Sequence, residues 1–250
     1  MTNTFSDSTD SSHREASWSE IRDSIFACGE CLRELSTVKV IKKRLDTFVD
    51  PNKPTKVRLL FVSEAPPGGK NLGDFFHNPD SKDSLRRKLF LALSETRSFA
   101  NIRGMPAIEG LRRLFEGGLY LLPSFNYPCS RRRDLKKNGK PSWQLLAHSA
   151  KHLAQEIVFI QPPTIFALGR SALFTLLNAF GGSTQEAANI KREYFQTLRI
   201  GRFMGRKFPI EIGSRCDVWI EKWPRIESLA NRDFRQLVRD LQFVLDGKMT

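Results

Sequence analysis

The chain has 250 residues, 40% of them apolar and 27% charged. That balance excludes collagen, a wholly disordered chain and a multispanning membrane protein. Forty Lys and Arg against 27 Asp and Glu leave a formal net charge of +13, spread along the chain, which favours a polyanionic partner, nucleic acid first, or serves solubility alone.

Residues 1–17 are rich in Ser, Thr and Asp, with Phe5 as the one large apolar side chain. They bury too little to offset the entropy of ordering and read as a disordered tail, leaving 18–250 as a single domain. Ile21, Ile25 and Cys28 predict a short helix leading into a Cys28-x-x-Cys31 pair. Residues 56–62 (KVRLLFV) form a compact apolar run, read as a buried strand, and 63–69 (SEAPPGG) read as a loop. Leu85, Leu89, Phe90 and Leu93 repeat at helical spacing, as do Ile108, Leu111, Leu114 and Phe115. A second buried strand covers 118–122 (GLYLL), and its exit, 123–140, is densely basic. A long helix is predicted from Ser142 onward, with Leu145, Leu146, Leu153, Ile157 and Ile160 on one stripe. Residues 164–168 (TIFAL) read as a third strand, ending in Gly169 and a helix. Residues 208–212 (FPIEI) and 217–220 (DVWI) read as strands, and the last element is an amphipathic helix carrying Phe234, Leu237, Val238, Leu241, Val244 and Leu245.

Strands alternating with helices predict one α/β domain with a mainly parallel sheet. Ligands bind beyond the carboxyl ends of such strands, so the loops after Val62, after Leu122 and after Leu168 or Ile220 form the candidate site. Neither G-x-G-x-x-G nor G-x-x-x-x-G-K-[ST] occurs, which argues against a Rossmann or P-loop reading. No run reaches the roughly 18 apolar residues of a spanning helix, so no membrane association is expected. The polar N-terminus lacks the apolar segment of a secretory signal, so a reducing, cytoplasmic compartment without disulfides is expected. The four cysteines are Cys28, Cys31, Cys129 and Cys216. A close pair with distant single cysteines points to a metal or cluster site, or to unconnected buried thiols.

The order of motifs resembles the uracil-DNA glycosylase superfamily, closest to its iron–sulfur-containing thermophilic branch. Cys28-Gly-Glu-Cys31 stands where that branch has its opening C-x-x-C. Residues 59–67 (LLFVSEAPP) follow the pattern of its strand running into G-E-A-P-G. Tyr120 to Cys129 with the basic 130–133 (SRRR) takes the next place, and 157–169 (IVFIQPPTIFALG) is similar to its helix–strand junction. The likeness runs from Cys28 to Leu245. It implies a three-layer α/β/α sandwich around a four-stranded parallel sheet, acting as a monomer on DNA. One nucleotide is extruded into a pocket and its N-glycosidic bond is hydrolysed, as base excision in DNA repair requires.

Carried over residue by residue, the resemblance places Ser63, Glu64, Ala65 and Pro66 at the first catalytic loop. Glu64 is the nearest acid, and Ala65 and Pro66 face the base. The family's acidic stretch after A-P-G is replaced by Gly68, Gly69 and Lys70, which leaves Asp74 either as substitute water-activating carboxylate or as a solvated loop acid. Phe76 stands at the family's stacking ring, or is a core residue. The base-reading Asn falls on Phe125, with Asn126 one residue away, and the late H-P-S loop aligns with Trp223, Pro224 and Arg225. Trp223 then replaces the family's His; it can donate one N–H and stack but cannot carry a proton charge. Arg131, Arg132, Arg133, Lys136, Lys137 and Lys140 would lie along phosphates, joined by Gly169, Arg170 and Arg225, or the basic loop is simply solvated.

Cys28, Cys31 and Cys129 fall on three of the branch's four cluster ligands. The fourth falls on Ser149, with His148 adjacent and His152 one turn further on. Either His would close a Cys₃His site for a structural zinc or an iron–sulfur cluster. Two functions remain open: a glycosylase of altered specificity, for uracil or for a modified base such as the glucosylated hydroxymethylcytosine of phage DNA, or a catalytically inactive DNA-binding member. Superfamily members that act on such bases serve in phage defence.

Overall fold

The computed structural model describes residues 17–28, 56–64, 76–77, 79–80, 83–124, 135–136, 140–141, 143–197, 199–221 and 231–247. Helix α1, Trp18–Ala27, starts at a reciprocal cap. The Ser17 N–H donates to Glu20 Oε2 at 2.6 Å, and the Glu20 N–H donates to Ser17 Oγ at 3.3 Å. Two of the orphan donors of the first turn are thereby satisfied. Strand β1, Leu59–Ser63, is buried along its whole length. Helix α2, Ser84–Ser94, is capped by the Asp83 side chain, and α3 follows at Ala107–Glu116.

Gly118 turns the chain from α3 into strand β2, Leu119–Pro123. Its φ is +74°, and a Cβ there would fall 2.8 Å from the Lys56 carbonyl, so the turn requires glycine. The basic segment contains a small hairpin, β3 at Leu135–Lys136 and β4 at Lys140–Pro141. Helix α4, Trp143–Ile160, is followed by β5, Thr164–Leu168, and α5, Arg170–Phe180. Helix α6, Gln185–Thr197, has no counterpart in the sequence reading, because only Ala187, Ile190 and Tyr194 of its residues are buried. Strands β6, Lys207–Glu211, and β7, Arg215–Glu221, precede the last helix, α7, Arg232–Asp246. No helix among the described residues is long and apolar enough to cross a membrane.

The main sheet has the order β2-β1-β5-β7-β6, with four strands parallel and β6 antiparallel to β7. Among the described residues it therefore has five strands where the resemblance implies four. The addition is a hairpin: Gly213 (φ +94°) turns the chain, and Ile210 comes to lie opposite Cys216. Pro209 cannot donate to a ladder, and its place on the edge strand is where proline is tolerated.

Alternate residues of the strands feed two cores. Leu60, Val62, Tyr120, Leu122, Ile165 and Ala167 pack with α4, α5 and α6. Leu59, Phe61, Leu119, Leu121, Phe166 and Leu168 pack with α2, α3 and α7. Helices thus cover both faces, and the nearly unbroken apolar runs of β1, β2 and β5 are what a sheet buried on both sides needs. On α3, Gly110 lets the helix approach α2, since a Cβ there would clash with the Phe90 ring. Ile108, expected on the apolar stripe of α3, is 51% exposed in the helix's first turn.

Candidate functional site

The chain runs from β1 to β2 on one side, then returns to place β5 on the other side of β1 and moves on to β7. The direction of winding reverses between β1 and β5. In open parallel sheets, the crevice beyond the carboxyl ends of such a strand pair is where ligands bind.

Two sequence-predicted site residues stand at this edge. Glu64 is half-buried immediately after β1. Its carbonyl accepts the Ser124 hydroxyl at 2.7 Å, and the Ser124 N–H donates to the Ser63 carbonyl at 2.7 Å. Ser124 thus ties the exit of β2 to the exit of β1. Gly169, at the end of β5, has φ +96° with open space where a Cβ would stand, and its N–H donates to the Glu221 carbonyl at 2.8 Å. Among the described residues no side chain caps the start of α5 behind it. The Arg170 guanidinium lies 5.2 Å from the Trp143 ring centre, and its carbonyl accepts the Tyr194 hydroxyl at 3.1 Å.

Phe76 is 5% exposed and packs in the core on the α2–α3–α7 side. The buried Arg86 donates to its carbonyl at 3.0 Å, and its ring meets the His77 imidazole edge-on. Of the basic candidates, Lys136 and Lys140 pair across the β3–β4 hairpin. Asp74, Trp223, Ala65, Pro66, Asn126, Arg131, Arg132, Arg133, Lys137, Arg225, Cys31 and Cys129 lie outside the described residues.

Sequence reasoning missed Glu221. It closes β7 beside Leu168, is fully buried, and neither carboxyl oxygen closes a hydrogen bond of normal geometry. Burial pushes its carboxyl well above the usual carboxylate range, and the neighbouring Asp240 and Asp233 of α7 push it further. Asp240 itself is 7% exposed and accepts Gln236 Nε2 at 2.8 Å. Glu221 is therefore a neutral acid with Asp240 beside it. Nothing in the sequence signals it, because Glu221 falls in the phase of Arg215, Asp217 and Trp219, opposite to the buried Cys216, Val218 and Ile220.

A second constellation joins the first helix to the long central one. Helix α1 buries Ile21 and Ile25, Ser24 Oγ donates to Gln155 on α4 at 3.4 Å, and Cys28 Sγ lies 3.1 Å from His148 Nε2. His152 follows His148 by one helical turn and is 4% exposed. Cys28, His148 and His152 offer ligand atoms within 4.8 Å of one another, and this group can hold a metal ion. Burial lowers the His152 pKa, with Lys151 and His148 adding to the effect and Gln155 opposing it. The ring is held neutral, the form in which imidazole binds metal. Cys216 takes no part: it is buried in the sheet core, where burial and then Asp217 push its thiol up to about 12.

Among known proteins, no family model matches the chain and no curated protein matches it significantly.

Proposed function

We propose that the chain is a DNA glycosylase that extrudes a base and hydrolyses its N-glycosidic bond, with a pocket altered for a modified base or for uracil. What supports the reading is the arrangement at the sheet's carboxyl edge. Glu64 and Gly169 lie at adjacent strand exits flanking the reversal point, in the chain order on which the resemblance rests. Bond cleavage gives the sugar oxocarbenium character and leaves negative charge on the base, so the site needs a held water and donors toward the base. Glu64 takes the water, with Asp74 as its alternative, and Trp223 supplies an N–H to the departing base. The uncapped first turn of α5, open at Gly169, suits a backbone phosphate, and the net charge of +13 suits the polyanion around it. A metal at the Cys28–His148–His152 group, whether zinc or an iron–sulfur cluster, is structural in this reading, since the hydrolysis needs none.

A second reading, a DNA-binding member without catalysis, is favoured by Trp223 standing where the resemblance expects His. The two separate on Glu64→Gln and a panel of uracil-containing and modified-base duplexes, followed by alkaline cleavage at abasic sites. An enzyme loses strand breakage in the variant while DNA affinity persists. Absence of breakage by the wild-type protein on every duplex, with DNA bound, selects the second reading.

A further inference from the structure

We propose that Cys28, His148 and His152 bind a single tetrahedral ion of the zinc type, which fastens helix α1 to helix α4. The inference is independent of the reaction assigned above. The donor set among the described residues is the first ground: one thiolate and two imidazoles, with both histidines on one face of α4 four residues apart. Zinc accepts such mixed thiolate and imidazole sets.

Spacing is the second ground. With metal–sulfur and metal–nitrogen bonds of about 2.3 and 2.0–2.1 Å, a tetrahedral ion keeps its ligand atoms about 3.3–3.6 Å apart. The three ligand atoms here lie within 4.8 Å of one another, and Cys28 Sγ is 3.1 Å from His148 Nε2. They converge on one point and need only small rotations to accept an ion.

The third ground is His152. Its ring is 4% exposed with Gln155 nearby, and among the described residues neither nitrogen closes a hydrogen bond of normal geometry. A buried polar ring without such a partner costs free energy that a metal bond removes. The consequence is mechanical. Helix α1 has ten residues, too few to be stable alone in water, and among the described side chains Ser24 and this group tie it to α4.

The full-length protein, expressed in medium containing both zinc and iron, is analysed for metal and acid-labile sulfide. The expected result is zinc at a stoichiometric level without sulfide. Cobalt(II) added to the chelator-stripped protein should give the intense visible bands of a tetrahedral site, with a thiolate-to-cobalt charge-transfer band that Cys28→Ser abolishes. His152→Ala should lose the metal, His152→Cys should keep it, and metal removal should speed hydrogen exchange in residues 18–27 more than in β1 or β5. Because His152→Ala can fail to fold, the cobalt titration of the wild-type protein stands as a test by itself. Stoichiometric iron with sulfide, a wild-type chain that binds neither zinc nor cobalt, or full zinc retention by folded His148→Ala and His152→Ala would each overturn the proposal.

Discussion

Replacing Glu221 by Gln changes the pH dependence of stability in a direction fixed by its burial. In the folded protein the carboxyl is held protonated by loss of solvent and by Asp240 and Asp233. In the unfolded chain it ionises with a pKa of about 4.3. Above that pH the folded state carries one proton more than the unfolded state, so stability falls as pH rises. The slope is about 1.4 kcal/mol per pH unit, and it persists until the buried group itself ionises. The contribution is fully present below the unfolded pKa and is lost on the alkaline side. For a chain of this size, 1 kcal/mol moves Tm by about 2–4 °C, so the carboxyl lowers Tm by about 3–6 °C per pH unit within the window. Gln keeps the shape, stays neutral, and can donate to Asp240, so Glu221→Gln removes that component. Thermal unfolding of both proteins from pH 4 to pH 9 should give curves that diverge upward in pH, with the variant the more stable at the alkaline end. Parallel curves would refute the assignment of Glu221 as a buried neutral acid.

Phe76→Ala removes a ring that is 5% exposed in the core and should cost about 3–5 kcal/mol of stability. Unfolding measurements check this, and base release per folded molecule shows whether the ring also stacks on an extruded base. Changing Arg131, Arg132 and Arg133 to Ala should weaken binding to all duplex sequences alike and flatten the log–log salt dependence by about 0.9 for each phosphate no longer neutralised. An unchanged slope, measured by fluorescence anisotropy over a salt series, would mean that the basic loop is solvated.

The five strands were legible because each is an uninterrupted or alternating apolar run bounded by Gly, Pro or charge. The assembly of β6 and β7 into the parallel sheet was not, since a local hairpin signal at Gly213 says nothing about which sheet it joins. Helix α6 escaped notice because its one-sided burial rests on three residues among many polar ones. At the reversal point, Glu64 and Gly169 were readable from strand ends, whereas Glu221 was hidden. A glutamate at a strand end looks solvated until α7 is laid over it. The Cys28–His148 contact spans 120 positions, so spacing alone could only offer His148 and His152 as neighbours of a cysteine pair. The fold brings both imidazoles to the one cysteine of that pair that lies among the described residues.

Under the proposed function, the edge carrying Glu64 and Gly169 breaks an N-glycosidic bond. Mass spectrometry of the small molecules released from uracil-containing, hydroxymethylcytosine-containing and glucosylated duplexes, with the protein in excess over DNA, decides whether it does. One free base should appear together with an equal amount of abasic site, and Glu64→Gln should abolish both while still binding the duplex. A wild-type protein that binds every duplex and releases no base from any of them would contradict the proposed function.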